Sequence, residues 1–121
     1  MRTVLVVDDE FGVAEVIEAI LEEDGYRVLT AVNGRQGLAR LAEYKPDLVL
    51  LDLMMPILDG PSMLRAMKAD PAFRDIPVVM MSSLDPRSVD AQCDGYVAFL
   101  RKPFRAAAIT DLVARVLGAG S

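Results

Sequence analysis

The chain has 121 residues, 53% of them apolar, which suits one domain with an ample core. Eighteen acidic against thirteen basic residues give a net charge of -5, so a nucleic-acid surface is not something this chain offers by itself; with no histidine and one cysteine, Cys93, an internal disulfide and a structural zinc site are excluded as well. The apolar run Val4 to Val7 is too short for a signal peptide and meets Asp8-Asp9-Glu10 at once, and nothing approaches the roughly 20 apolar residues of a membrane span, so a reducing, cytoplasmic setting without membrane contact is expected.

In chain order, the β-branched run Thr3 to Val7 reads as a first strand, buried on both faces. Phe11, Val13, Ala14, Val16, Ile17, Ile20 and Leu21 then recur at three- and four-residue spacing, a helix that Asp24-Gly25 stops. Arg27 to Ala31 is the second strand. Asn33-Gly34 opens a second helix with Leu38, Leu41 and Ala42 on its apolar face, and Lys45-Pro46 ends it, because the residue before proline disfavours the α conformation. Leu48 to Leu51 is the third strand. The third helix follows Gly60-Pro61, carries Met63, Leu64 and Met67 inward, and closes at Asp70-Pro71. After Ile76-Pro77 comes a fourth strand, Val78 to Met81. Between Ser82 and Tyr96 few residues are both apolar and helically spaced, so the fourth helix is expected to be short, about two turns. Tyr96 to Leu100 is the fifth strand. The last helix shows Ala108, Ile109, Leu112, Val113, Val116 and Leu117 on one face and ends at Gly118. Residues 1–118 thus form one domain with a flexible tail at 119–121. Strands alternating with helices imply parallel pairing, right-handed crossovers and a three-layer α/β sandwich.

The charged residues at the strand ends carry the chemistry. Asp52 closes an apolar strand, where an unpaired carboxylate would lose its hydration, so it belongs at the strand's mouth. Parallel neighbours would bring it to the same carboxyl edge as Asp8, Asp9 and Lys102, the edge where open α/β sheets hold ligands. Two unit charges ~4 Å apart repel by ~4 kcal/mol at an effective dielectric of 20, so three carboxylates there require positive charge among them. A hard divalent cation such as Mg²⁺ suits an all-oxygen donor set, and Lys102 supplies a second positive group. A carboxylate flanked by a cation and an ammonium is built to attack phosphorus. Ser82 closes the fourth strand at the same edge and can donate to a phosphoryl oxygen, and Phe99 is an aromatic that could swing inward beside it.

These motifs, Asp8-Asp9 after strand one, Asp52 followed by Met55-Pro56 and Gly60, Pro77 leading to Ser82, and Lys102-Pro103-Phe104, resemble the receiver (CheY-like) domain of bacterial two-component response regulators over the whole chain. The resemblance implies a flavodoxin-like (βα)5 sandwich with a parallel five-stranded sheet in the order 2-1-3-4-5. It implies that Asp52 is the phosphoacceptor, that Asp9 and Asp52 bind Mg²⁺ with the backbone carbonyl of Met54, that Asp8 joins this metal set through water, and that Lys102 pairs with the phosphate, aimed by a bond before Pro103 that is commonly cis. Ser82 and Phe99 would be the switch. Implied partners are a histidine kinase or phosphotransfer protein as donor, an output protein or domain, and a weak homodimer through the face of the fourth helix, fifth strand and fifth helix. No enzyme activity is implied beyond self-phosphorylation and self-dephosphorylation.

Other readings exist residue by residue. Asp8 and Asp9 could cap the first helix, Ser82 the fourth; Lys102 could be solvated surface, Phe99 and the methionines core filling, Cys93 an incidental thiol. An aspartate-nucleophile phosphohydrolase would need a second acid where Met54 stands, and a flavodoxin-like cofactor binder would not put three acids in its first loop. A degenerate receiver acting only as a docking module is opposed by the intact acidic set. Ser82 stands where threonine is also common and lacks its rotamer restriction, Phe99 cannot hydrogen-bond as a tyrosine would, and the Ser82–Lys102 stretch is short. Apolar Leu84 and Met54 beside the phosphoryl site are expected to hinder water and lengthen the phosphorylated lifetime.

Overall fold

The computed structural model describes residues 1–119, without the side chain of Ala119. Among these, strands β1 (Thr3–Val7), β2 (Arg27–Ala31), β3 (Leu48–Asp52), β4 (Val78–Ser82) and β5 (Ala98–Arg101) alternate with helices α1 (Phe11–Glu23), α2 (Gly34–Tyr44), α3 (Gly60–Ala69), α4 (Pro86–Asp90) and α5 (Ala106–Ala119). Every pairing is parallel, and the order β2-β1-β3-β4-β5 is the expected one. Because the chain leaves β1 for one side and returns through β3 to the other, the carboxyl ends of β1 and β3 flank a topological switch point.

Two apolar layers cover the sheet, which is why its central strands are unbroken apolar runs rather than alternating ones. Val4, Val6, Leu48, Leu50, Val79 and Met81 pack with Ala14, Ile17 and Leu21 of α1 and Ile109, Leu112 and Val113 of α5. Leu5, Val7, Val49, Leu51, Val78 and Met80 pack with Leu41 of α2, Met63, Leu64 and Met67 of α3, and Val89 of α4. Of the six methionines expected to fill the core, Met63, Met67, Met80 and Met81 are fully buried and Met55 packs partly against it, whereas Met54 is exposed.

Helix starts follow side-chain chemistry. Asn33, Asp59 and Asp85 each accept a hydrogen bond from the backbone N–H three residues on, Gln36, Ser62 and Ser88, at 2.8–2.9 Å. α2 stops where Lys45 turns left-handed, φ 47°, and its N–H bonds Leu41 O.

Several expectations shift. β3 and β4 each run one residue further, to Asp52 and Ser82. β5 starts at Ala98, not Tyr96: Gly95 has φ 92° and the Tyr96 hydroxyl donates to the Asp90 carboxylate, so this stretch ties back to α4 before it joins the sheet. α4 has five residues, little more than one turn, since Val89 is its one buried side chain. α5 continues past Gly118 to Ala119; of the expected tail, residues 120 and 121 lie outside the described residues. Periodicity also overstated the inner faces: Phe11 (72%), Val16 (56%), Ala42 and Ala108 are exposed, because each helix covers the sheet with a stripe narrower than its apolar pattern.

Candidate functional site

The site forms where β1, β3, β4 and β5 end. Asp8 follows β1 directly and is fully buried; its N–H bonds Ala31 O across the β1–β2 edge, and its Oδ1 accepts the Glu10 N–H at 2.9 Å. Asp52 is the last residue of β3, 6% exposed, and continues the parity of Leu48 and Leu50, so it points to the α1/α5 side. Lys102 follows β5, its N–H bonding Ser82 O at 2.8 Å and its peptide bond to Pro103 cis, as expected. Its Nζ donates to Asp8 Oδ2 at 2.7 Å, lies 3.2 Å from Asp52 Oδ1 and 3.6 Å from Glu10 Oε1. Asp9 is exposed, yet Asp8, Asp9 and Asp52 each offer a carboxylate oxygen within 4.8 Å of the others.

The return from β3 into α3 is tightly shaped. A Cβ on Gly60 would come within 2.3 Å of the Asp52 carbonyl oxygen, so only glycine lets α3 start this close to the acid. Ile57 is held at φ 72°, where the Leu58 N–H closes back onto Pro56 O at 2.8 Å, a γ-turn that costs a β-branched residue strain.

Burial, then the charge of Asp8, pushes the Asp52 carboxyl up to about 6 despite the nearby Lys102 ammonium. Burial works against the charge of Lys102, but the hydrogen bond to Asp8 and the charge of Asp52 outweigh it and hold the ammonium above the ordinary lysine range. One ammonium thus leaves three clustered carboxylates undercompensated. Their all-oxygen donor set and spacing fit a hard cation such as Mg²⁺ and not zinc.

Ser82 is buried on the opposite sheet face, in line with Val78 and Met80, and its Oγ accepts the Leu84 N–H at 3.0 Å, so the hydroxyl proton stays available. Phe99 is half-buried opposite Met80, on Ser82's face but two rungs deeper, since Ser82 pairs with Arg101. Met54, the second residue of the loop after β3, is 69% exposed. Neither Asp8 nor Asp9 caps α1, whose N-cap is Glu10, with no side-chain capping bond. Glu10 is the residue that the sequence reading passed over; its signal was its place in the acidic run Asp8-Asp9-Glu10. It lines, with Val13, Val16, Lys102, Pro103 and Phe104, a groove of about 490 Å³.

An open parallel sheet of this strand order, with a lysine-bridged acidic cluster at its switch point, defines a CheY-like α/β domain of the flavodoxin-like class. The chain belongs to the response regulator receiver domain family, whose pattern matches residues 4–114. Among curated relatives it is 42% identical over 102 residues to the response regulator PleD of Caulobacter vibrioides, covering 83% of this chain and 22% of that protein. It is 40% identical to the transcriptional regulatory protein PrrA of Mycobacterium tuberculosis, covering 93% of this chain and 47% of that one. The chain therefore spans half or less of these relatives. The structure resembles that of a receiver domain of a Pseudomonas aeruginosa sensor histidine kinase with a magnesium ion coordinated in its active-site cleft (TM-score 0.90, 29% identity, 97% and 98% of the two chains covered). The chain is thus a receiver domain of the two-component signal-transduction type. No helix among the described residues is long and apolar enough to cross a membrane.

Proposed function

We propose that Asp52 accepts a phosphoryl group from a phosphohistidine on a histidine kinase or phosphotransfer protein, and that the phosphorylated domain changes the surface it offers to an output protein or domain. The observation that carries this is the Lys102 ammonium shared between buried Asp8 and Asp52 beside Asp9. An Asp52 oxygen forms the new bond to phosphorus while the donor's P–N bond breaks, its electron pair staying on the imidazole nitrogen, which takes up a proton. Burial makes Asp52 more basic than an ordinary carboxylate, hence a better nucleophile, while it remains mostly ionised at pH 7. Lys102 then pairs with a phosphoryl oxygen, and Ser82 donates its free hydroxyl proton to another. Asp8, Asp9, Asp52 and the Met54 carbonyl would hold Mg²⁺, which when bound supplies positive charge for the carboxylates and the phosphoryl oxygens.

Output follows from the new charge. Lys102 and Ser82 are joined through the Lys102 N–H to Ser82 O bond, so drawing both toward the phosphoryl group moves the ends of β4 and β5 together, and Phe99, half-buried on that face, would follow. We assign the β5 edge, with α4 on one sheet face and α5 on the other, to the output partner and to weak self-association. The chain then acts as a stored signal and not as a turnover enzyme: with Met54 where a phosphohydrolase would carry its second acid, and with Leu84 apolar beside Ser82, water is poorly activated and the phosphorylated state should last minutes or longer.

The test is intact mass after incubation with acetyl phosphate, with and without Mg²⁺, on the wild type and Asp52→Asn. A Mg²⁺-dependent phosphoryl adduct that Asp52→Asn abolishes is expected; an adduct that survives the substitution overturns the assignment.

A further inference from the structure

We infer that Glu10 is a specificity-determining residue of this site: as the third carboxylate on Lys102, it disfavours small, highly anionic phosphodonors at the entrance to Asp52. The inference rests on Asp52 being the phosphoacceptor. Lys102 Nζ lies 3.2 Å from Asp52 and 3.6 Å from Glu10, so the two carboxylates are separated by no more than those contacts laid end to end. Their exposures differ sharply. The Asp52 and Asp8 side chains are 9% and 0% exposed, whereas Glu10 is 63% exposed, the outermost acid on the ammonium.

Glu10 is also anchored. Its N–H bonds Asp8 Oδ1, and its carbonyl accepts the N–H groups of Val13 and Ala14 at the start of α1. Its side chain makes no helix-capping bond and instead faces the Lys102 ammonium. Glu10 and Lys102 line the same groove, with Pro103 and Phe104 beside them. A phosphodonor that is to draw Lys102 off its carboxylates must enter the field of Glu10, whose carboxylate lies 3.6 Å from the ammonium. The repulsion grows with the donor's charge. A phosphohistidine carried on a protein can offset it with contacts to the groove walls, whereas a free small dianion has none to make.

The experiment measures Mg²⁺-dependent phosphorylation rates of the intact chain with two donors: acetyl phosphate, a dianion near neutral pH, and phosphoramidate, which carries one net negative charge fewer. In each case an Asp52 oxygen–phosphorus bond forms. The P–O bond breaks with acetate leaving with the electron pair, or the P–N bond breaks with ammonia leaving after it takes a proton. The variants are Glu10→Gln, Glu10→Asp and, as a charge-matched control on the same helix away from Lys102, Glu15→Gln. At low salt Glu10→Gln should speed acetyl phosphate roughly tenfold and phosphoramidate about threefold, as Coulomb repulsion across a watery entrance predicts. The donor ratio should return to the wild-type value near ~1 M salt, where screening is nearly complete. Glu10→Asp, which keeps the charge, and Glu15→Gln should retain the wild-type ratio. An adduct on the wild type with an unchanged donor ratio in Glu10→Gln, or the same ratio change in Glu15→Gln, overturns the role of Glu10 alone. No adduct on the wild type overturns the phosphoacceptor reading, and the role of Glu10 with it.

Discussion

The two halves of the carboxyl edge are held by different forces. On the β1–β3 side Asp8 is fully buried, Asp52 nearly so, and one ammonium from across the sheet bridges them at 2.7 and 3.2 Å. On the β4–α4–β5 side a five-residue helix is anchored by Val89, a serine hydroxyl accepts a single backbone N–H, and Phe99 is half-exposed. The first half is preorganised by charges that have nowhere else to go; in the second, β4 is as buried as the centre of the sheet, but α4 and β5 bury only Val89 and Leu100 and have a low local cost of rearrangement. Under the proposed function, the chemistry lies in the half held by buried charge and the readout in the part that rearranges most easily.

Removing the ammonium tests the rigid half hardest. Lys102→Ala leaves Asp8 and Asp52 facing each other in the sheet edge, and a urea melt at pH 7 with chelator present should show a loss of about 3 kcal/mol. Next comes the carboxylate itself. The folded state binds the Asp52 proton more tightly than the unfolded chain does, about 6 against 3.8, so this group's contribution is present at low pH and lost as pH rises from about 4 through 6. Asp52→Asn, which does not titrate, should therefore be more stable than the wild type by about 3 kcal/mol above pH 7, with the gap closing toward pH 4. In the soft half, Val89→Ala should cost about 1.5 kcal/mol, seen by hydrogen exchange as faster exchange confined to residues 86–93, with β1 and β3 unaffected. If β1 amides lose protection equally, the two halves are not separable. The smallest effect returns to the rigid half: Ile57→Gly relieves the left-handed turn beside the site and, after the entropy that glycine adds to the unfolded chain, should gain about 0.5 kcal/mol in the same melt.

The rigid half was the more legible in the sequence, for a physical reason. Val4–Val7 and Val49–Leu51 are unbroken apolar runs that admit few readings, and an aspartate directly after such a run can be accommodated only at the strand's mouth. The soft half offered weaker signals. Tyr96 and Val97 are as β-prone as Phe99, yet β5 begins after them, because Gly95 and the Tyr96–Asp90 hydrogen bond tie Tyr96 to α4, and Val97 gives the sheet only its N–H, bonded to Val78 O. The strong periodicity of α1 told that it was a helix but not which of its apolar residues faced inward, so Phe11 and Val16 proved exposed.

By itself, the sequence determined the alternation of strands and helices, the three-layer sandwich, and the acids and lysine at strand ends, since all of these depend on local runs, turn residues and the cost of burying charge. Only the tertiary structure decided how those charges are shared. Lys102 lies 94 residues from Asp8, and their pairing at 2.7 Å exists because β1, β3, β4 and β5 run parallel and end together. The same convergence brings Glu10 onto the ammonium and lifts Asp52 above an ordinary carboxylate, effects of distance and burial that no local pattern encodes.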